Sequence, residues 1–469
     1  MNGTTTSREP PEVMSATRRL AFALGSPGHV AIDKVVTGIL LYFYLPPPDR
    51  GLESPVSEET FFGALTAFGL AMLIARTVDS LASPLIGHAS DRSRSRLGRR
   101  RSFMIVGLVP MAVLPLFAYW PPGAAGSTLN MLWLTILISC YYVFATMYTG
   151  PREALIPEIA HSAEDRARLS RTMSLAAFPV AGLLMAWPKG IDWGRSMGLD
   201  ATESIRWIAV VLCVLGLILC VIPVFFIDER RFTHSVASEL PMREALRSAI
   251  RNHPFVVFLV THLLFALATA LIFPALPYMA TVLLGRSEGF AFELGASLGT
   301  MMGVGYAVIP RLLRHFDSKP LMIACFGTFG VASAALALIR ADVAGGPNDA
   351  RNLAVAFLAL GSMGIPLAGA SILPSVLLGR IIDDDRERTG TNRSAVFVGI
   401  VRAFDKWAYG LAAAVIAFLF ARFGKSPAEP LGVLLIGPIG GIAALLAALL
   451  FFRFPGGEAG VEVNPASDG

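Results

Sequence analysis

The chain has 469 residues, of which 54% are hydrophobic and only 16% charged, and its mean hydropathy is +0.61. Soluble domains carry about a quarter charged residues, so this composition excludes an ordinary soluble enzyme and points to lipid as the partner of the surplus apolar surface. The formal charge is +5, but the basic residues lie on short tethers between apolar runs rather than on a polar domain or terminal arm, which argues against nucleic acid.

A transmembrane helix needs roughly 20 mostly apolar residues. Twelve runs approach that length: 29–45, 60–87, 102–120, 128–150, 172–188, 207–227, 254–284, 290–310, 321–339, 353–378, 395–421 and 430–452. The N-terminal MNGTTTSREPPEVMSATRRL is polar and has no signal-peptide core, and 1–28 reads as a cytoplasmic tail. The first run contains Asp33 and Lys34. Between the second and third lies DRSRSRLGRRR (Asp91–Arg101), with six arginines in eleven residues and a glycine, Gly98, that suggests a shaped turn. The longest connection, 228–253, separates runs six and seven, and its PMREALRSAIR segment has the pattern of an amphipathic surface helix. Residues 454–469 read as a disordered tail. Cys140, Cys213, Cys220 and Cys325 all fall inside apolar runs without CxxC spacing, so they read as packing residues.

With the N-terminus placed in the cytoplasm, inside segments hold 26 Lys or Arg and outside loops 9, with Lys34, Arg76, Arg402 and Lys406 inside helices. That bias fits the positive-inside rule with both termini cytoplasmic. The plan is therefore six plus six: an N-terminal bundle at 29–227, the linker 228–253 and a C-terminal bundle at 254–453. A basic loop follows the second run of each half, DRSRSRLGRRR and RLLRHFDSK. Acidic-basic segments after the fourth run, ending at Asp165-Arg166 and Asp385-Arg386, form a weaker match. Paired halves are a common plan for secondary transporters.

RTVDSLASPLIGHASDRSRSRLGRRRSF (Arg76–Phe103), PREALIPEIAHSAEDRARLS (Pro151–Ser170), LPSVLLGRIIDDDRERTGTNRS (Leu373–Ser394) and FDKWAYG (Phe404–Gly410) carry a resemblance to the major facilitator superfamily. Within it, the chain resembles the melibiose-carrier family of glycoside–pentoside–hexuronide:cation symporters. The first segment, D-x-x-x-x-P-x-x-G-x-x-x-D-R-x-x-S-R-x-G-R-R-R, is the most specific, and plant-type sucrose carriers share its GRRR end. The resemblance covers helices 2, 4–5 and 10–11. It implies an all-α membrane protein of twelve transmembrane helices in two six-helix bundles, around a cavity that opens alternately to each side. It also implies a cytoplasmic gate at the loop between helices 2 and 3, where Asp91, Arg92, Arg96, Arg99 and Arg100 would pair with acidic residues such as Glu158 in the shut state.

Ionisable residues at bilayer depth are costly and are functional candidates by default. Arg76 and Asp79 share a helix face at i, i+3, as do Arg402, Asp405 and Lys406 at i, i+3 and i+4. The resemblance implies that Asp79 is a cation ligand, with the Ser83 and Thr146 hydroxyls beside it, and that Lys406 lies near that site. Arg76, Arg402 and Asp405 join Lys406 as coupling or gating residues. The family's second carboxylate before Pro84 is replaced by Ser83, and its asparagine by Ala82. Asp79 is therefore the residue that would hold Na+, but a single carboxylate suits a proton equally, since its pKa can be raised to titrate near neutrality. The family's two sugar-binding aspartates align with Val30 and Thr149, which weakens a galactoside reading. Asp33, Tyr42, Tyr148, Thr149 and Trp407 are the substrate-cavity candidates, with Tyr44 a lesser one. His262 reads as a buried hydrogen-bonding residue, and Arg152 and Glu153 as gate residues.

Together these features predict a secondary active transporter of the inner membrane, moving a sugar or glycoside with Na+ or H+. The alternative cargo is a lysophospholipid or another amphipathic solute. A non-transporting receptor or scaffold has no need of the buried Asp79 and Lys406. No HExxH or phosphate-binding loop occurs, so neither an enzyme nor direct ATP drive is expected. No cofactor beyond the coupling ion is expected. The expected partners are a small-molecule substrate and membrane lipid, without nucleic acid, and the expected state is a monomer.

Overall fold

The computed structural model describes residues 14–61, 63, 65–160, 163–226, 251–339, 350–390 and 393–455. Residues 1–13 of the predicted N-terminal tail, nearly all of the predicted linker with its amphipathic segment, and most of the C-terminal tail lie outside these residues; the rest of the predicted N-terminal tail is, from Ala16, the start of the first helix, with Phe22 and Ala23 buried. The chain begins with α1 (Ala16–Lys34), carried on by a π-helical turn (Val35–Ile39) into α2 (Leu40–Tyr44). Next come α3 (Ala67–Arg92), α4 (Arg101–Phe117), α5 (Thr128–Ile159), α6 (Ala163–Met185), α7 (Trp187–Ser196) and α8 (Ala201–Phe226). The second half contains α9 (His253–Tyr278) with a π turn at Met279–Leu283, α10 (Phe290–Leu312), α11 (Ser318–Ala334) and α12 (Ala350–Thr389). It ends with α13 (Ser394–Phe423), α14 (Leu431–Leu434) and α15 (Ile436–Phe451).

Each predicted apolar run falls on a helix, but not every helix is a self-evident span. Among the described residues nine are long and apolar enough to cross a membrane, and α6 with α7, bent by 45°, makes a tenth. α4 has only 17 residues, and Asp33 and Lys34 lower the hydropathy of the first rod. The run 60–87 also overreached: Thr60–Phe61 and Leu65–Thr66 pair as a two-residue antiparallel hairpin, and the helix starts after it, where the Thr66 hydroxyl accepts from the Gly69 amide at 3.2 Å. Ser127 and Asn252 cap α5 and α9 in the same way. Such caps matter in lipid, where backbone polar groups must be satisfied within the protein.

The two halves repeat one packing plan. In the first, α1 packs on α8 and α6, α5 on α3 and α4, and α4 on α8. In the second, α9 packs on α15 and α13, α12 on α10 and α11, and α11 on α15. These are the same five pairings, taken in order within each half. Small residues permit the close approach: a Cβ on Gly28 would sit 2.8 Å from Leu219 Cβ, and one on Gly305 would sit 2.9 Å from Ile365 Cα. Between halves, α3 packs on α13, and α10 packs on α6 and α7.

Connections alternate between two ends. One end holds the segments 45–61, 118–127, 197–200, 284–289 and 424–430, and the other holds 93–100 and 313–317. In the latter, Gly98 adopts φ +108°, a conformation that favours glycine, so the arginine loop is a shaped turn.

Candidate functional site

At mid-depth, where α3 meets α13, residues from three helices converge on one carboxylate. Asp79 is 2% exposed. Its Oδ1 accepts from Lys406 Nζ at 2.6 Å and from Thr146 Oγ1 at 2.7 Å. Lys406 Nζ also donates to Ser83 Oγ at 2.7 Å and to Thr146 Oγ1 at 3.2 Å. Asp79 Oδ2 faces Arg76 at 3.5 Å. Arg76 is fixed from its other side by Tyr142, whose ring centroid lies 3.9 Å from the guanidinium carbon. Helical spacing explains the convergence: 76, 79 and 83 share a face of α3. Asp79, Ser83, Thr146, Arg76 and Lys406 are thus brought together as the sequence suggested.

Three oxygens (Asp79 Oδ1, Ser83 Oγ and Thr146 Oγ1) lie within 3.2 Å of one ammonium nitrogen. A small hard cation takes oxygen ligands of this kind, and so does a proton on Asp79. Lys406 and the cation would compete for the same oxygens. Among the described residues no cluster of three or more His, Cys, Asp or Glu side chains forms a metal site.

Arg402 and Asp405 stand apart from this cluster. Asp405 Oδ1 lies 2.7 Å from His262 Nε2, giving His262 the hydrogen-bonding role expected of it. Arg402, Asp405, His262 and Tyr409 line a cavity of about 750 Å³. The wall belongs to the second half alone and is mostly apolar, with Phe258, Phe265, Phe273, Leu367, Leu378 and Val401 prominent. It runs toward the 93–100 end, since its lining includes Ile382 near the end of α12 and Val398 near the start of α13.

The substrate-cavity candidates fall elsewhere. Tyr148 is fully buried and donates to the Cys220 carbonyl at 3.0 Å, which locks it into the first bundle. Thr149 donates to the Ala145 carbonyl. Asp33 accepts from Tyr141 at 3.2 Å and from Thr37 at 3.4 Å. Trp407 is 54% exposed but is not in the cavity wall. Tyr42 is buried at the opposite end, wedged between Trp187 and Tyr278.

Apart from Tyr42, that end is closed by residues the sequence did not single out. Glu288 is fully buried. Arg195 holds it with bonds of 2.6 and 3.0 Å, Tyr42 donates at 3.1 Å, and Arg50 lies 4.0 Å away. Burial pushes the Glu288 pKa up, but the Arg195 hydrogen bonds and charge outweigh it and hold the carboxyl below the usual glutamate range. Tyr278 donates to the Leu41 and Leu45 carbonyls, and Lys189–Glu293, Asp192–Ser287 and Lys425–Glu58 add further contacts between the halves.

At the 93–100 end the first half contributes contacts of its own. Asp91 pairs with Arg100 at 3.2 Å, Arg100 also donates to the Ala154 carbonyl, and Arg152 donates to Ser26. Arg92 and Arg96 are exposed and Arg99 is half-buried. The side chain of Glu158, the expected acidic partner of this loop, lies outside the described residues.

A family model described as MFS/sugar transport protein matches residues 21–457, so the chain belongs to that family. It is 24% identical to the inner membrane symporter YicJ of Escherichia coli (strain K12) over 302 residues, covering 63% of this chain and 61% of YicJ. It is 20% identical to the isoprimeverose transporter of Lactiplantibacillus pentosus, with 84% and 82% covered. It is 23% identical to the sodium-dependent lysophosphatidylcholine symporter 1 of Xenopus tropicalis, with 96% and 89% covered. Among solved structures, the fold is similar to that of a D-xylose–proton symporter, with TM-score 0.66, 16% identity and coverage of 93% and 97%. These matches and the apolar helices make it a multi-pass inner membrane protein of a transporter family.

Proposed function

We propose that this family member is a cation-coupled symporter working by alternating access, with Asp79 as the cation site. The observation that carries the reading is the bridge from Lys406 on α13 to Asp79, Ser83 and Thr146 on α3 and α5. It ties the two halves together at the one place where a cation would also bind. Na+ or a proton at Asp79 removes the counter-charge of Lys406 and loosens the α3–α13 contact. Loss of one partner from a buried pair costs roughly 3–5 kcal/mol, enough to shift a two-state equilibrium by about a hundredfold or more. The positive-inside bias makes the 93–100 end cytoplasmic, so the cavity faces inward here and the Glu288 end is the closed outer gate.

Sugars and glycosides are the first cargo class, in keeping with the family description and the isoprimeverose transporter. The apolar cavity wall favours a second reading, an amphipathic solute, in line with the lysophosphatidylcholine symporter. The test is uptake into proteoliposomes under an imposed Na+ or pH gradient. Wild type should accumulate a glycoside or lysolipid uphill. Asp79→Asn should lose gradient-driven accumulation while its folded fraction is unchanged, and unchanged accumulation in that variant would sink the cation-site assignment.

A further inference from the structure

In the first half α4 and α8 pack side by side, and a pocket of about 220 Å³ opens where the end of α4 meets the start of α8, on the Glu288 side of the molecule. Trp120, just past α4, forms one wall, and Glu203, Arg206, Trp207 and Val210 of α8 form the other; the helical period puts these four on one face. Trp120 and Trp207 are both exposed, and exposed tryptophans collect at the level of lipid headgroups. Arg206 is fixed in place. Its Nε donates to the Tyr119 carbonyl at 2.9 Å, and its guanidinium carbon lies 5.1 Å from the Trp120 ring centroid. Its two Nη groups make no hydrogen bond among the described residues. Glu203 is exposed on the same face, and among the described residues its carboxylate has no ion pair within 4 Å, with Arg206 or any other cation. The neighbouring acid, Asp200, is committed to the start of α8, where it accepts from the Glu203 amide at 2.6 Å. The pocket therefore holds one cation and one anion apart, beside two aromatic rings. Beyond it the surface turns apolar, with Val113 and Phe117 on α4 and Val211 and Val214 on α8 exposed.

We infer that this pocket is a binding site for one membrane phospholipid whose headgroup joins a phosphate to a primary ammonium, as in phosphatidylethanolamine. The Arg206 fork takes the phosphate, Glu203 accepts from the ammonium beside the tryptophan faces, and the acyl chains lie along the apolar surface between α4 and α8. Both helices belong to the first half, so the site is present whichever way the cavity opens. Native mass spectrometry of the delipidated full-length protein in detergent tests this with dioleoyl phosphatidylethanolamine, phosphatidylcholine and phosphatidylglycerol. All three carry the phosphate. A quaternary ammonium has no N–H for Glu203, and the glycerol headgroup has no cation. Phosphatidylethanolamine should bind about tenfold tighter than either, the scale of one charge-assisted hydrogen bond. Glu203→Gln should bring the three lipids to within about twofold of one another, and Arg206→Gln should weaken all three about tenfold, with the lipid-free melting temperature of each variant unchanged. Equal binding of the three lipids by wild type overturns the inference. So does a preference that survives in Glu203→Gln, or affinities that are unaltered in Arg206→Gln. Displacement of the lipid by equimolar O-phosphoethanolamine overturns the claim that the ligand is a lipid.

Discussion

The two ends of the molecule hold their charges in opposite ways. At the closed end a single carboxylate, Glu288, is stripped of water and gripped across the gap by Arg195 and Tyr42 from the other half. At the open end Asp91, in the last turn of α3, is 52% exposed and pairs with Arg100 across the loop that follows it. Burial separates the two: a buried bonded pair is costly to break, whereas a half-exposed pair contributes about 0–1 kcal/mol. The Glu288 contacts depend on how the halves sit, and so they select a conformation. The Asp91 pair spans one short loop of one half and shapes that loop in any conformation.

The comparison breaks most severely at Glu288→Gln. Removing the charge leaves Arg195 and Arg50 unpaired at the seam, and the closed end should open by about a hundredfold in population. Leu52 is only 7% exposed at this end. A cysteine there, with the four native cysteines replaced, should become alkylated correspondingly faster. Tyr42→Phe removes one hydrogen bond to a charged acceptor, worth about 1.5–3 kcal/mol, and should raise the same labelling rate roughly tenfold. Acid sharpens the contrast more gently. The Glu288 pKa is held low in the closed state, so the stabilisation is complete above the ordinary glutamate pKa and is lost as pH falls through the lowered value. Labelling through this latch should be flat from about pH 5 to 8 and rise only below about 4. Asp91→Asn should have the smallest effect, within about threefold in transport or accessibility.

The central cluster was legible in the sequence because charge inside an apolar run is expensive and stands out. Arg76, Asp79 and Lys406 announced themselves in this way, and the helical period put Ser83 on the same face. Glu288 and Arg195 gave no such signal. They sit 93 positions apart in or beside short polar connections where charge is ordinary, and only the packing of the halves makes their pairing visible. Tyr42 and Tyr148 were ambiguous for another reason. A tyrosine has an apolar body and a polar tip, and sequence does not say whether the tip meets solute, carbonyl or carboxylate. The start of α3 was misjudged because residues 60–66 are nearly as apolar as the helix that follows. The repeated pairing of helices in the two halves was only hinted at by loop composition, since packing partners are set by small-residue contacts such as those of Gly28 and Gly305.

The central claim is that a cation at Asp79 releases Lys406 and lets the halves rock. Its most direct test follows accessibility at both ends, with cysteines at Leu52 and at Val398 in the cavity, as Na+ is titrated at fixed pH and as pH is stepped without Na+. The cation should raise labelling at 52 and lower it at 398 together in wild type, and Asp79→Asn should respond to neither Na+ nor pH over the range in which wild type does. An Asp79→Asn protein whose two ends respond as wild type does would contradict the account.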